Sequence, residues 1–564
     1  MDKPRTTIGE RIIRASVIVG LAHILLKFAG LIQIKFATHY LNSTLYDSII
    51  VVAFGNILNS LFLIGEEVIG PTFLTVFMNE KEQRDEPAAW RFTGATLTWQ
   101  TLVLVIVILT IILFPDAYIR LCTSWRPDSA LERYMLLRRS LQIIAPALLF
   151  LSLSSTTYVL LNGYKKFFLA AFGDTSTKIC LVLGLVIGVK WLGLGYRAVL
   201  ASILIGAVAK LATHLWGLRH QLHRLRPGLG LGSPAMKTML TLMVPLLAGI
   251  LFAKVRDVFN NVYVLSRLEA SGILMANDLG RKLFASIQWL VPYSLQIALF
   301  PFLCELVSQD DRARLGDVVE KSWRMLVAVF TPAAVILAIL SRLLAVGIFL
   351  GGQTGLQIAL LAGLSTGCYV LVLPAAAVEC VLMQGFFADR RTVSVTVIGI
   401  LSSLLSVAVS FIAVVKLNVG AWQNGAAIAL ACVALGFVLS RWVKSLALTV
   451  YFHRCTPSFR PGPTVLFLIR VALLTLLAGA ATWLVSRAVS GVLHDGVAAF
   501  ALADATSDGT HDVSRLAILA NICLSGSAGL LAFLAGARLL RLDEPLQMIR
   551  WALARLPGRR KAAA

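Results

Sequence analysis

The chain has 564 residues, 58% of them hydrophobic and 14% charged, with a mean hydropathy of +0.81 and a formal net charge of +22. A soluble chain carries about a quarter charged residues, so this composition excludes a soluble globular protein and indicates a polytopic membrane protein. The positive charge does not call for nucleic acid. Its clusters, Lys3/Arg5/Arg11/Arg14, Arg219/Arg224/Arg226, Arg312/Arg314/Lys321/Arg324 and Arg550 to Lys561, fall on one side of the spans set out next, as the positive-inside rule and contact with anionic lipid require.

Apolar runs place about fourteen spans, at 15–38, 47–78, 92–114, 139–162, 167–189, 195–218, 238–265, 273–305, 325–348, 355–384, 392–415, 421–443, 464–486 and 513–537. The first continues too far, without a small-residue cleavage site, to be a signal peptide. With the N-terminus inside, an even number of spans returns the C-terminus to the cytoplasm. The polar segment 494–512 is expected to be a mobile external loop. Eight cysteines are scattered, with no CxxC and no Cys/His cluster, so neither a disulfide framework nor a metal site is expected.

The chain repeats itself. "PTFLTVFMNE" at 71–80 and "EPAAWRF" at 86–92 match "PFLCELVSQD" at 301–310 and "EKSWRML" at 320–326. "VLLNG" at 159–163 matches "VLMQG" at 381–385, and "GVKWLGLGYRAVLASIL" at 188–204 matches "VVKLNVGAWQNGAAIAL" at 414–430. The matches fall in order at nearly one offset, so six helices are followed by six in the same orientation. The expected fold is therefore an all-α polytopic membrane protein with two six-helix lobes as a parallel repeat plus two C-terminal helices. The expected divisions are 1–226, 227–460 and 461–564, the last ending in a basic cytoplasmic tail. Transporters built from such repeats bind substrate where the halves meet.

Charges inside spans carry the functional reading, because each costs kilocalories at bilayer depth. The first span holds His23 and Lys27, spaced i,i+4. The second opens on Asp47, carries Asn56 and Asn59, and has Glu66/Glu67 between Gly65 and Gly70-Pro71, where a break in the helix is expected. Asp174 and Lys178 in the fifth are spaced for a neutralising pair, and Lys210 and His214 in the sixth are expected to snorkel toward the cytoplasmic interface. Lys254, Arg256 and Asp257 crowd the seventh, with Lys254 and Asp257 spaced to partner. Asp278, Arg281 and Lys282 stand at a similar depth in the eighth, and Glu379 in the tenth reads as a lone acid that could couple an ion or stay protonated. Cations partly compensated by aspartates suit a water-filled cavity for an anion, above all a phosphate or diphosphate. Walker A, HExxH and GxSxG motifs are absent, which points to a secondary transporter without cofactor, metal or catalytic residues.

"VPLLAGILFAKVRDVFNNVYVLSRLEASG", "ALFPFLCELVSQDD" and "VLMQGFFADRRTVSV" resemble the MurJ (MviN) family of lipid II flippases, in the multidrug/oligosaccharidyl-lipid/polysaccharide exporter superfamily. "LLKFAGLIQIKFATHYLNSTLYDSIIVVAFGNILNSLF" and "LLNGYKKFFLAAF" carry a weaker likeness, and residues 385–392 look like the family's turn after helix 10. The resemblance implies a rocker-switch transporter that moves an undecaprenyl-diphosphate-linked sugar to the outer leaflet. It also implies cavity arginines on the head group and a lipid-tail groove at helices 13 and 14. Here the helix 1 arginines fall near His23 and Gly30, and the helix 2 pair is Asn59-Ser60. Asp47 matches an acidic residue of the family.

The resulting expectation is a flippase of lipid II or an exopolysaccharide repeat unit in the bacterial inner membrane. Lys27, Lys254, Arg281 and Lys282 would contact phosphate, with His23, Arg256 and Asn59 behind them. Asp47, Asp257 and Asp278 would hold the cations or form gating pairs. Expected partners are the lipid-linked oligosaccharide, anionic lipids and cell-envelope synthesis machinery. The competing readings are a non-transporting scaffold of the same family and a multidrug or cation antiporter of the superfamily.

Overall fold

A computed structural model describes residues 29–230, 232–268, 270–288, 302–389, 391–456, 461–493 and 514–545. His23, Lys27 and the 494–512 loop lie outside them. We label the long helices α1 (29–40), α2 (Ser43–Gln83), α3 (Glu86–Leu113), α4 (Pro127–Gly163), α5 (Phe167–Trp191), α6 (Tyr196–Leu218), α7 (Pro234–Arg267), α8 (Ile273–Gln288), α9 (Arg312–Phe349), α10 (Leu356–Ala388), α11 (Val393–Lys416), α12 (Gly425–Cys455), α13 (Pro461–Leu493) and α14 (Arg515–Leu539). Among the described residues ten helices are long and apolar enough to span a membrane. They become twelve when α4 and α7, bent by 50° and 42°, are each taken as one span. The other two expected spans, α1 and α8, run into residues outside the described set.

Local chemistry explains where the helices begin and bend. Asp85 caps α3 by accepting from the Ala88 amide at 2.6 Å, and Asp311 caps α9 by accepting from Arg314 at 3.0 Å. Pro146, between the two parts of α4, cannot donate to the helix ladder, and the span bends there. The expected break at Gly65–Pro71 does not occur: Asn59–Gln83 is one helix with Pro71 inside it. Thr72 and Thr75 donate to the carbonyls of Val68 and Pro71 around that site, and neighbouring helices support a proline within a span.

The repeat is legible in the backbone. The two aspartate caps open matching helices, α3 and α9. Matching helices α5 and α11 both end in wide π-type turns, where Leu192 N–H donates to Ile187 and Leu417 N–H to Ile412, each at 2.9 Å. The chain divides into two units, Met1–Met275 with Gly351–Thr354, and Ala276–Leu350 with Gly355–Ala564. In the first, Phe73, Phe77, Trp90, Phe92, Leu160 and Leu218 form a buried core. In the second, Trp323, Phe386, Phe452, Phe467 and Phe533 do the same, drawing α13 and α14 into that core.

Candidate functional site

In the first unit the embedded charges of α7 meet α2. Lys254 Nζ donates to Glu67 Oε1 at 2.7 Å, with the lysine side chain 15% exposed. Asp257, the partner expected from its i,i+3 spacing, is instead taken by its neighbour Arg256, whose Nη2 and Nε lie 2.8 and 3.0 Å from Oδ1. An acid on another helix reaches the ammonium in a geometry the seventh span cannot supply, so spacing along one helix misassigns this pair. Asp47 is buried at the start of α2.

Asn59 stands about two turns before Glu66 on α2, with Phe62 between them at i+3. It lines a cavity of about 270 Å³ together with Gln33, Asp174, Lys178 and Lys210. One expectation about that wall fails. Lys210 does not snorkel: its side chain is 4% exposed and donates to Asp174 at 2.6 Å. Asp174 of α5 is thus held across helices by Lys210 of α6. Glu66 lies within electrostatic reach of Lys210, Asp174, Glu67 and Lys254, so one polar line runs from Lys254 to the cavity. The i, i+3, i+7 spacing of Asn59, Phe62 and Glu66 was the sequence signal for that line.

In the second unit, α8 turns an apolar face to α10. Asn277 is buried and accepts from Ser365 at 3.2 Å and from Tyr369 at 3.3 Å. Gly280 lets the helices touch: a Cβ there would lie 2.5 Å from Ser365 Cβ. With Ala276, Asn277, Leu279 and Gly280 buried, Asp278, Arg281 and Lys282 share the half-exposed face. Lys282 donates to Asp278 at 2.7 Å, the i,i+4 pair that the spacing implies.

Glu379 requires correction. It is not a lone acid: Arg441 Nη2 and Lys444 Nζ of α12 lie 2.9 and 3.1 Å from its Oε2. The two contacts join α10 to α12 through one carboxylate.

Comparison with known proteins decides the family. The MurJ lipid II flippase family model matches residues 37–501. The chain belongs to the MurJ family of lipid II flippases. A probable lipid II flippase MurJ from Bdellovibrio bacteriovorus is 24% identical over 423 residues, 74% of this chain and 77% of that protein. A second, from Buchnera aphidicola subsp. Schizaphis graminum, is 23% identical over 174 residues, and the alignment spans only 33% of that protein. Among solved structures, a lipid II flippase MurJ in an inward closed conformation aligns with TM-score 0.70 at 16% identity, over 93% of this chain and 99% of its own. An inward-facing multidrug resistance MATE transporter of the MOP superfamily aligns with TM-score 0.60 at 12% identity, over 78% and 98%. These likenesses establish the fold.

The MurJ-like turn after α10 has a structural task here. Asp389 accepts from Arg312 of α9 and from Arg391, each at 2.6 Å, and Arg391 Nη1 reaches Cys455 Sγ of α12 at 3.0 Å. The turn thus ties three helices at their ends. The Tyr451 hydroxyl, then the Asp389 carboxylate, pushes the Arg391 guanidinium up from its ordinary range.

Proposed function

We propose that the chain is a flippase that carries a polyprenyl-diphosphate-linked saccharide across the bacterial inner membrane by alternating access, with lipid II as the first candidate cargo and an exopolysaccharide repeat unit as the second. The observation that carries this reading is the pairing of cations in spans with carboxylates that balance them without sealing them off: Lys254 with Glu67, and Lys282 with Asp278. Such pairs are costly to keep in a membrane. A phosphoryl oxygen arriving at the ammonium exchanges one charge-assisted bond for another, so binding need not leave a bare charge. Lys27, Lys254, Arg281 and Lys282 then contact the diphosphate, with His23, Arg256 and Asn59 behind them. Asp47, Asp257 and Asp278 hold the cations between turnovers.

The names of the curated relatives support lipid II as cargo. A groove of about 420 Å³ between α9 and α14, lined by Val329, Pro332, Ile336, Leu530 and Phe533, suits an isoprenoid tail. The membrane potential, worth about 2.3 kcal/mol per charge per 100 mV, supplies a driving force without ATP. In this reading both termini are cytoplasmic, the basic clusters rest on anionic lipid, and the envelope-synthesis machinery delivers and receives the cargo. Residues 1–226 and 227–460 act as the two lobes.

The test is rescue of bacteria depleted of their own lipid II flippase. Growth with the wild-type chain, and lysis with Lys254→Ala/Lys282→Ala at equal membrane level, is the expected result. Growth with the double variant removes these lysines from the site. Lysis with inserted wild type removes lipid II as cargo. A scaffold that does not transport predicts that substitutions at these cations are silent.

A further inference from the structure

Two arginines meet beside the turn between α5 and α6. The guanidinia of Arg139 on α4 and Arg197 on α6 both lie within hydrogen-bonding reach of the Tyr196 hydroxyl. A neutral phenol oxygen cannot balance two cations. Among the described residues no carboxylate pairs with either. Asp116 is held by Arg138 at 3.2 Å and by the Tyr134 hydroxyl at 2.7 Å, and Glu132 stands about 10 Å from Arg139 along the axis of α4. The segment 189–197 adds Lys190 and contains no acid.

Both arginines share a helix face with apolar residues that look outward. Arg197, Ala201 and Ile205 of α6 are all exposed, as are Arg139 and Ile143 of α4. The neighbouring ends of α5 and α6 are ends of membrane spans, so their turn lies at the membrane surface, where Trp and Tyr concentrate. Gly193 and Gly195, at φ +61° and +58°, let the chain double back there. Trp191 is 72% exposed beside it, together with Leu192 and Leu194. The positive-inside bias does not account for these cations, because Arg219, Arg224 and Arg226 follow the opposite end of α6. The repeat supplies a contrast. In the matching turn of the second half Lys416 replaces Lys190, but Trp422 and Gln423 stand where Tyr196 and Arg197 do.

We propose that Arg139, Arg197 and Tyr196 form a headgroup site for an anionic phospholipid, with the lipid phosphate between the two guanidinia and the acyl chains along the outward faces of α5 and α6. The site is separate from the cargo cations and does not depend on what the chain transports.

The test places the full chain in phosphatidylcholine bilayers that hold a fixed small fraction of either phosphatidylglycerol or phosphatidylcholine with brominated acyl chains. Bromine quenches indole fluorescence on contact, and subtracting a Trp191→Phe variant isolates the Trp191 signal. Brominated phosphatidylglycerol is expected to quench Trp191 more than brominated phosphatidylcholine does. Arg139→Gln and Arg197→Gln should each cut that preference about fivefold, as loss of one cation at an anionic surface does, and Arg197→Lys should keep part of it. Trp422, isolated with Trp422→Phe, should show no such preference. Equal quenching of Trp191 by the two lipids, or an unchanged preference in Arg197→Gln, overturns the proposal. So does an equal preference at Trp422, since general attraction to a basic protein would then suffice. A preference that survives added inorganic phosphate supports the lipid as the source of the anion, and one that phosphate removes overturns the lipid in favour of the free anion. If Arg139→Gln melts below the wild type, the exposed Arg197→Gln decides alone.

Discussion

The contact between α4 and α6 and that between α10 and α12 occupy matching places in the two halves of the repeat, but different chemistry closes them. In the first half His214 stands within hydrogen-bond distance of Thr157 Oγ1 (3.1 Å) and of the carbonyls of Ser154 (2.9 Å) and Ala170 (3.1 Å). In the second, Glu379 takes the place of Thr157, two residues before the Val-Leu-x-x-Gly match, and binds Arg441 and Lys444. One backbone arrangement thus accepts a neutral bond or a charged triad. The difference shows where each half puts its buried charge: the second uses it to cross-link helices, whereas the first places Lys210 and Asp174 beside a cavity.

The largest effect that would sharpen this contrast is at Glu379. Glu379→Ala leaves Arg441 and Lys444 embedded without their anion, which costs about 3–5 kcal/mol in comparable buried pairs. Thermal melting in detergent should show a loss far beyond that of any substitution at Thr157. A mild effect would mean that the triad is not a cross-link.

Next comes the helix contact that precedes these in each half. Gly280→Ala puts its Cβ against Ser365 and should cost about 1–3 kcal/mol, as overpacking does. Gly70→Ala on α2 meets Val159 at an ordinary 3.6 Å and should melt like the wild type. Similar losses in both would erase the asymmetry.

A smaller change, Thr157→Val, removes one neutral hydrogen bond to His214 and should cost about 1 kcal/mol. The smallest expected effect is on pH dependence, at Tyr164, just past α4. Its hydroxyl donates to Glu86 at 2.5 Å and accepts from Trp90 at 2.9 Å. Burial, then the Glu86 carboxylate, pushes the phenol up to about 12. Because its folded value lies above the ordinary value near 10, the contribution is complete below pH ~10 and fades as pH rises toward 12. Melting of wild type and Tyr164→Phe should therefore differ by a constant amount from pH 6 to 9. A difference that changes within that window would show that the phenol titrates there.

Much of this was readable without coordinates, and the reasons differ by residue. Spans follow from the length an apolar run needs to cross a bilayer, so the helices emerged near their expected places. The Asp278–Lys282 pair was readable because both residues belong to one helix, where i,i+4 neighbours must meet. The same rule misassigned Lys254, whose acid is Glu67 on another helix, and left Glu379 looking solitary because its cations are on α12. Lys210 read as a snorkelling residue because distance to a helix end is all that a linear pattern records.

By itself the sequence determined the membrane class, the parallel repeat and the family, since hydropathy, order and motif are properties of a line of residues. Only the tertiary structure decided which carboxylate neutralises which cation, and that Lys178 and Lys210 share a cavity wall with Asn59. Helix packing brings residues from separate spans within 3 Å of one another, and the strength of an ion pair depends on that distance and on burial, neither of which spacing along the chain encodes.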